Sequence, residues 1–155
     1  MKNQLSREQT PASLKAPKAL EKATSKPLRV LVVDDNADLA SLLAEMLKML
    51  GHQTQIVHSG LEVLEAAQSF LPDVILLDIG LPGKNGYEVA KSIRRDRLCK
   101  HSLLVALTGW DGDLDKQAAA EAGFDVHLSK PLDMNGLAEV LGRVSPRRLG
   151  NERTP

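Results

Sequence analysis

Apolar residues come along this chain in two alternating rhythms. Short runs of β-branched and aliphatic residues over 28–33, 74–77 and 103–107 read as strands buried on both faces. The run over 54–58 is weaker and more polar and predicts a strand near an edge; 124–129 predicts a fifth strand. Between these runs the apolar residues recur at helical spacing. Leu39, Leu42, Leu43, Met46, Leu47 and Leu50 predict a helix over 37–50 that Gly51 stops. Leu61, Leu64, Ala67 and Leu71 mark a helix over 60–71, closed by Pro72, and Tyr87, Ala90 and Ile93 mark the next. An Ala-rich stretch over about 114–122 ends at Gly123, and a last helix starts at the N-cap candidate Asp133 and runs to Val144.

Strand and helix alternate five times with short crossovers. This order predicts an α/β domain, a five-stranded parallel sheet with helices on both faces. No internal repeat is present. A Gly-x-Gly-x-x-Gly or Gly-Lys-Ser/Thr loop is also lacking, so nucleotide folds of those kinds have no support.

Composition narrows the picture. A length of 155 residues suits one domain with a real core, and with aromatics at only 3% that core must be aliphatic. The single cysteine, Cys99, excludes an internal disulfide and a cysteine metal cluster and fits a cytoplasmic setting. In its loop beside Lys100 and His101 it reads as an incidental thiol. No apolar run approaches the roughly 20 residues of a membrane span, and no signal-peptide core follows Met1.

The formal net charge is zero, yet residues 28–142 hold ten basic and seventeen acidic residues between two basic ends. Neither end interleaves aromatics with its lysines as single-strand binding would want. Residues 1–27 therefore read as a disordered basic extension or linker and 145–155 as a short flexible tail, with order over 28–144 and no direct nucleic-acid or membrane partner. His52, His58 and His101 are scattered without metal-ligand spacing and read as surface residues. Arg94, Arg95 and Arg97 close a helix, where cations suit the dipole and need no partner.

The chemistry sits at the strand ends. They carry Asp34 and Asp35, then Asp78 before a Leu-Pro-Gly turn, then Thr108, then Lys130. Parallel strands bring these ends to one edge, where open α/β sheets place their ligand sites. Clustered carboxylates repel unless a cation sits among them, and an all-oxygen set suits Mg²⁺ rather than Zn²⁺. Nucleophilic carboxylate, metal, fixed cation and hydroxyl are together the parts that receive a phosphoryl group. Any one of them alone would be an ordinary turn residue.

With Val32-Val33-Asp34-Asp35-Asn36, Leu77-Asp78-Ile79-Gly80-Leu81-Pro82-Gly83, Ala106-Leu107-Thr108-Gly109 and Ser129-Lys130-Pro131, the chain resembles a response-regulator receiver domain of two-component signalling. The resemblance covers about three quarters of the chain, residues 28–144. It implies a flavodoxin-like (βα)5 three-layer sandwich with strand order 2-1-3-4-5. It implies Asp78 as phosphoacceptor, Asp35 as a direct Mg²⁺ ligand, Asp34 as one through water, and the Gly80 carbonyl completing the protein ligands. Lys130 would pair with phosphoryl oxygens, and the Thr108 hydroxyl and Gly109 amide would take the rest. A cis bond before Pro131 would bend the last loop and aim Lys130 inward.

Two departures from the commonest family pattern stand out. His127 occupies the place of the Tyr or Phe that swings inward with the threonine on activation, and an imidazole is smaller and titratable; an ordinary strand histidine is the other reading. Gly80 offers no side chain beside the acceptor, while Trp110 is unusually large and could screen the site. The implied function is a phosphorylatable switch. A histidine kinase or histidine phosphotransfer protein would supply the phosphoryl group, and the chain would catalyse only its own phosphorylation and dephosphorylation. The surface of helix 4, strand 5 and helix 5 would pass the signal to a protein partner or onward in a relay, since no output domain is expected after Val144. Alternatives are a receiver excised from a hybrid histidine kinase, a docking module that is never phosphorylated, and a small Mg²⁺-dependent phosphatase, which lacks an evident cap or second acid.

Overall fold

The computed structural model describes residues 26–82, 84–109 and 116–146. The expectations for residues 1–25, for the tail beyond 146, for Trp110 and for the start of the Ala-rich helix lie outside these. Within them the elements follow in the order β1 (Arg29–Val33), α1 (Ala37–Met49), β2 (Gln53–Val57), a 3-10 turn (Gly60–Glu62), α2 (Val63–Phe70), β3 (Val74–Asp78), α3 (Gly86–Arg95), β4 (Leu103–Thr108), α4 (Lys116–Ala122), β5 (Val126–Ser129) and α5 (Met134–Gly142). The last strand starts two residues later and the last helix stops two residues earlier than the hydrophobic pattern suggests. Asp133 does cap α5, its carboxylate accepting from Asn135 N at 3.0 Å. Asn36 and Asn85 cap α1 and α3 in the same way.

All strand pairs are parallel and the sheet order is β2-β1-β3-β4-β5, the flavodoxin-like arrangement. Parallel crossovers are right-handed, so a chain that steps outward from β1 to β2 and then back past β1 must change faces. Alternate side chains along each strand supply both faces with apolar surface. Val30, Val32, Val74, Leu76, Val105 and Leu107 pack with Leu43 and Leu47 of α1 and Leu137 and Leu141 of α5. Leu31, Val33, Ile75, Leu77 and Leu104 pack with α2, α3 and the end of α4 through Val63, Ala67, Val89, Ile93 and Ala122. Every strand residue of β3 is buried, as its unbroken apolar run requires.

Tertiary packing corrects two sequence readings and adds to a third. His52 is not on the surface; it is 4% exposed beneath the start of β1. Cys99 lies in a turn between α3 and β4, as the sequence suggests, but is fully buried against the second core, its thiol 3.2 Å from Asp96 Oδ1. Arg94 has partners after all. Its guanidinium donates to the carbonyls of Gly123, Lys100 and Ser102 and pairs with Asp125 at 2.6 Å, joining the end of α3 to the segments that lead into β4 and β5. His58 and His101 are exposed as expected.

Candidate functional site

The sheet order makes a crevice at one place. The connection leaving β1 runs outward to β2 and the one leaving β3 runs the other way to β4, so the carboxyl ends of β1 and β3 border a gap that no crossover fills. Register then delivers the chemistry. Val33 pairs with Leu77, which sets Asp34 beside Asp78. Asp78 pairs with Leu107, Thr108 with Ser129, and Lys130 N donates to Thr108 O at 2.7 Å. All five strand-end residues read from the sequence therefore share one edge.

Their contacts are specific. Lys130 Nζ lies 3.0 Å from Asp34 Oδ2 and 3.2 Å from Asp78 Oδ2, bridging the two strands. Asp34 Oδ1 accepts from Asn36 N at 2.9 Å, and Asp78 Oδ1 accepts from Gly80 N at 3.0 Å. Asp35 is exposed, yet one oxygen from each of Asp34, Asp35 and Asp78 falls within 4.8 Å of the others. Three hard oxygen donors at that separation fit an ion of Mg²⁺ type. The Thr108 hydroxyl is buried and has no hydrogen-bond partner among the described residues. Such a group costs stability unless a ligand or water satisfies it.

Electrostatics follow from this crowding. Burial pushes the Asp78 carboxyl above its ordinary range, against the opposing pull of the Gly80 amide and Lys130. Burial also disfavours the Lys130 ammonium, but its bonds to Asp34 and the charge of Asp78 prevail and hold its pKa above the usual value. The Asp78 carboxyl is thus partly desolvated and paired with a cation that stays charged.

The surrounding loops keep the site open. At Gly80 an added Cβ would meet only Asp78 Oδ1, at 3.8 Å, so glycine here is space rather than necessity. Gly86 is different: a Cβ there would stand 2.7 Å from Ile79 Cα, so only glycine lets α3 start against the loop that follows Asp78. The Lys130–Pro131 bond is cis. His127 lies on β5, an edge strand, with its side chain exposed.

One feature of the site's border was missed in the sequence. The apolar arc of α1 is wider than the face it buries. Ala40, Leu43, Ala44 and Leu47 point into the core, whereas Leu39 and Leu42 are 47% and 59% exposed and Met49 is 83% exposed. With Met46 they form an outward stripe at spacing 3-4-3. Leu39, Leu42 and Met46 face Pro131 and Met134 across an apolar groove of about 480 Å³, which Asp34 and Lys130 also line. Nothing in the sequence marked it, because Leu39, Leu42, Leu43, Met46, Leu47 and Leu50 have the spacing of one ordinary buried face.

Comparison with known proteins places this geometry. The family model of the response regulator receiver domain matches residues 30–142. The chain is 35% identical over 127 residues to the DNA-binding response regulator MtrA of Mycobacterium tuberculosis, covering 82% of this chain and 53% of that protein. It thus spans about half the length of that relative. Among solved structures, the receiver domain of sensor histidine kinase PA1611 from Pseudomonas aeruginosa, with magnesium coordinated in its active-site cleft, superposes with a TM-score of 0.69 at 28% identity, covering 76% of this chain and 96% of that one. The receiver domain of Saccharomyces cerevisiae Ssk1, solved with the histidine phosphotransfer protein Ypd1, gives a TM-score of 0.67 at 25% identity, covering 75% of this chain and 87% of that one. In this family Mg²⁺ binds at the acidic site, and histidine kinases or phosphotransfer proteins are the partners. Matched along residues 30–142, and sharing the fold of these relatives, this chain belongs to the response regulator receiver domain family of two-component signalling.

Proposed function

We propose that this chain is a working phosphoacceptor: a Mg²⁺-dependent receiver that takes a phosphoryl group from a phosphohistidine onto Asp78. The observation that carries the proposal is the Lys130 ammonium bonded at once to Asp34 and Asp78, with Asp35 in reach of both acids. An Asp78 carboxylate oxygen attacks phosphorus in line, and the P–N bond to the donor imidazole breaks with its electron pair leaving on nitrogen. Lys130 turns from the Asp78 oxygen to a phosphoryl oxygen, and the Thr108 hydroxyl and Gly109 amide donate to the others. Asp35 would hold Mg²⁺ directly, Asp34 through water, with Asp78 and the Gly80 carbonyl beside them. When bound, the ion neutralises charge shared by the phosphoryl group and the acids. Release is hydrolysis: water attacks phosphorus, the bond to Asp78 breaks, and phosphate departs.

Thr108 moving toward the phosphoryl group would disturb its pairing with Ser129 on β5, the strand that carries His127, and so alter the α4–β5–α5 surface for a protein partner or onward relay. The exposed apolar stripe of α1, continuous with the groove at Lys130, suits the approach of the histidine donor. The reading includes a cytoplasmic setting and no direct nucleic-acid contact by residues 28–144. Among the described residues no helix is long and apolar enough to cross a membrane. The likeness to a receiver taken from a sensor histidine kinase supports a second reading, in which this domain serves within a hybrid kinase.

The test is labelling with acetyl phosphate in Mg²⁺. Wild type should incorporate one phosphoryl group and Asp78→Asn none. Equal labelling of the two would overturn the assignment, and failure of a folded wild type to label or to bind beryllofluoride would favour a docking module.

A further inference from the structure

At the other end of the sheet, β1 begins between two side chains that stand in for strand backbone. On the β2 side, Leu28 N donates to Nδ1 of His52 at 3.0 Å while Leu28 O accepts from Gln53 N at 2.8 Å. On the β3 side, Arg29 N donates to Asp73 Oδ2 at 2.8 Å while Arg29 O accepts from Asp73 N at 2.8 Å. Each neighbour thus lengthens its ladder to β1 by one bond, using a side-chain acceptor. Leu28 itself is buried, so its N–H has no recourse to water if the bond is lost.

An acceptor nitrogen carries no proton. His52 is therefore the neutral tautomer protonated on Nε2, and Nε2 is buried with no hydrogen-bond partner among the described residues. A second proton would have to go on Nδ1, where it would meet the Leu28 N–H donor to donor. We propose that His52 is an acid-sensitive latch: neutral, it fastens the start of β1 to β2, and protonated, it lets go. This is independent of phosphorylation.

Of the charged groups on the elements beside the His52 ring, Asp73 is the one that acts on it. Asp73, leading into β3, favours the proton. Arg29 on β1 is turned aside, its guanidinium donating to Phe70 O at 2.7 Å and packing over the Phe70 ring. Lys48, in the last turn of α1, is exposed and pairs with Glu45 at 3.6 Å. Burial outweighs Asp73 and holds the His52 pKa below its ordinary value. Between that depressed native value and the ordinary unfolded one near 6.5, the unfolded chain binds more protons. The contribution of His52 to stability is then present above about pH 6.5 and is lost as the pH falls below it, levelling off once the native ring titrates.

Imidazole ¹⁵N chemical shifts of the full chain test the geometry directly. The expected result is an unprotonated Nδ1 near neutral pH, a midpoint below about 6.5, and faster Leu28 amide exchange as the ring titrates. The His52→Gln variant keeps an oxygen acceptor that does not titrate. Between about pH 7 and about pH 5, wild type should lose stability more than this variant, on the order of tenfold in unfolding constant per unit of pKa depression. A proton on Nδ1, a midpoint at the ordinary value, or equal losses in both proteins would overturn the latch. If the variant does not fold, the wild-type spectra still decide.

Discussion

The Lys130 ammonium lies 3.0 Å from Asp34 Oδ2 although 96 residues separate the two in the chain. With Asp78 on the same ammonium, one cation offsets two acids in a crevice. Three acids against one lysine leave the cluster under-neutralised, and that imbalance has consequences for stability and pH.

Asp78→Asn should therefore stabilise the metal-free protein at neutral pH, by roughly 1 kcal/mol. The sign follows from the raised native pKa of Asp78, caused first by burial. A native carboxyl that binds protons more tightly than the unfolded one favours the fold below the unfolded value and loses that advantage as pH rises through the native value. Urea unfolding with EDTA is the measurement. The gain should vanish in acid, and a less stable variant at pH 7 would contradict the account.

Removing one carboxylate at a time should rank the metal ligands. Both Asp34 oxygens are already engaged, with Lys130 and with the Asn36 amide, whereas Asp35 is exposed beside them. Asp35→Asn should weaken Mg²⁺ binding about tenfold or more and Asp34→Asn less, measured by calorimetric titration. Equal losses would mean that the direct and water-mediated roles are misassigned.

A third outcome separates the donor surface from the chemistry. Leu42 is 59% exposed on α1, so Leu42→Asp should change stability by no more than about 0.5 kcal/mol. Labelling by acetyl phosphate should persist while transfer from a phosphorylated histidine donor slows by about tenfold or more. If both donors label the variant at wild-type rates, α1 is not the docking face.

Lifetime should be long in the wild type. Gly80 leaves room beside Asp78 but offers nothing to orient an attacking water. Gly80→Asn, which the open space accepts, should speed decay of the phosphoprotein on the order of tenfold, about 1.4 kcal/mol of barrier. Decay is followed in Mg²⁺ after the donor is removed; wild-type decay within seconds, or an unchanged rate in the variant, would remove Gly80 from the clock.

How much of this was legible beforehand depended on range. Buried parallel strands demand continuous apolar runs, so the runs ending at Val33, Leu77 and Leu107 announced themselves, and the residue after each run announced the site. Pairing register brought Asp34, Asp78, Thr108 and Lys130 to one edge because parallel strands share a direction. What periodicity could not say was which part of an apolar arc faces inward. The rotation of α1 that buries Leu43 and Leu47 and exposes Leu39 and Leu42 is set by the sheet and α5, which are remote in sequence.

Polar groups were harder still. His52 reads as a surface residue and Arg94 as a residue that needs no partner, because Leu28 lies 24 residues from His52, and Gly123 and Asp125 lie 29 and 31 from Arg94. A backbone N–H buried at a strand's start must find an acceptor, and only the assembled sheet decides that a histidine ring provides it. The local pattern thus determined the elements, their order and the acid, hydroxyl and lysine at their ends. The tertiary structure alone decided which helix face stays bare and which polar side chains are buried, because both depend on contacts between segments that composition and spacing do not order.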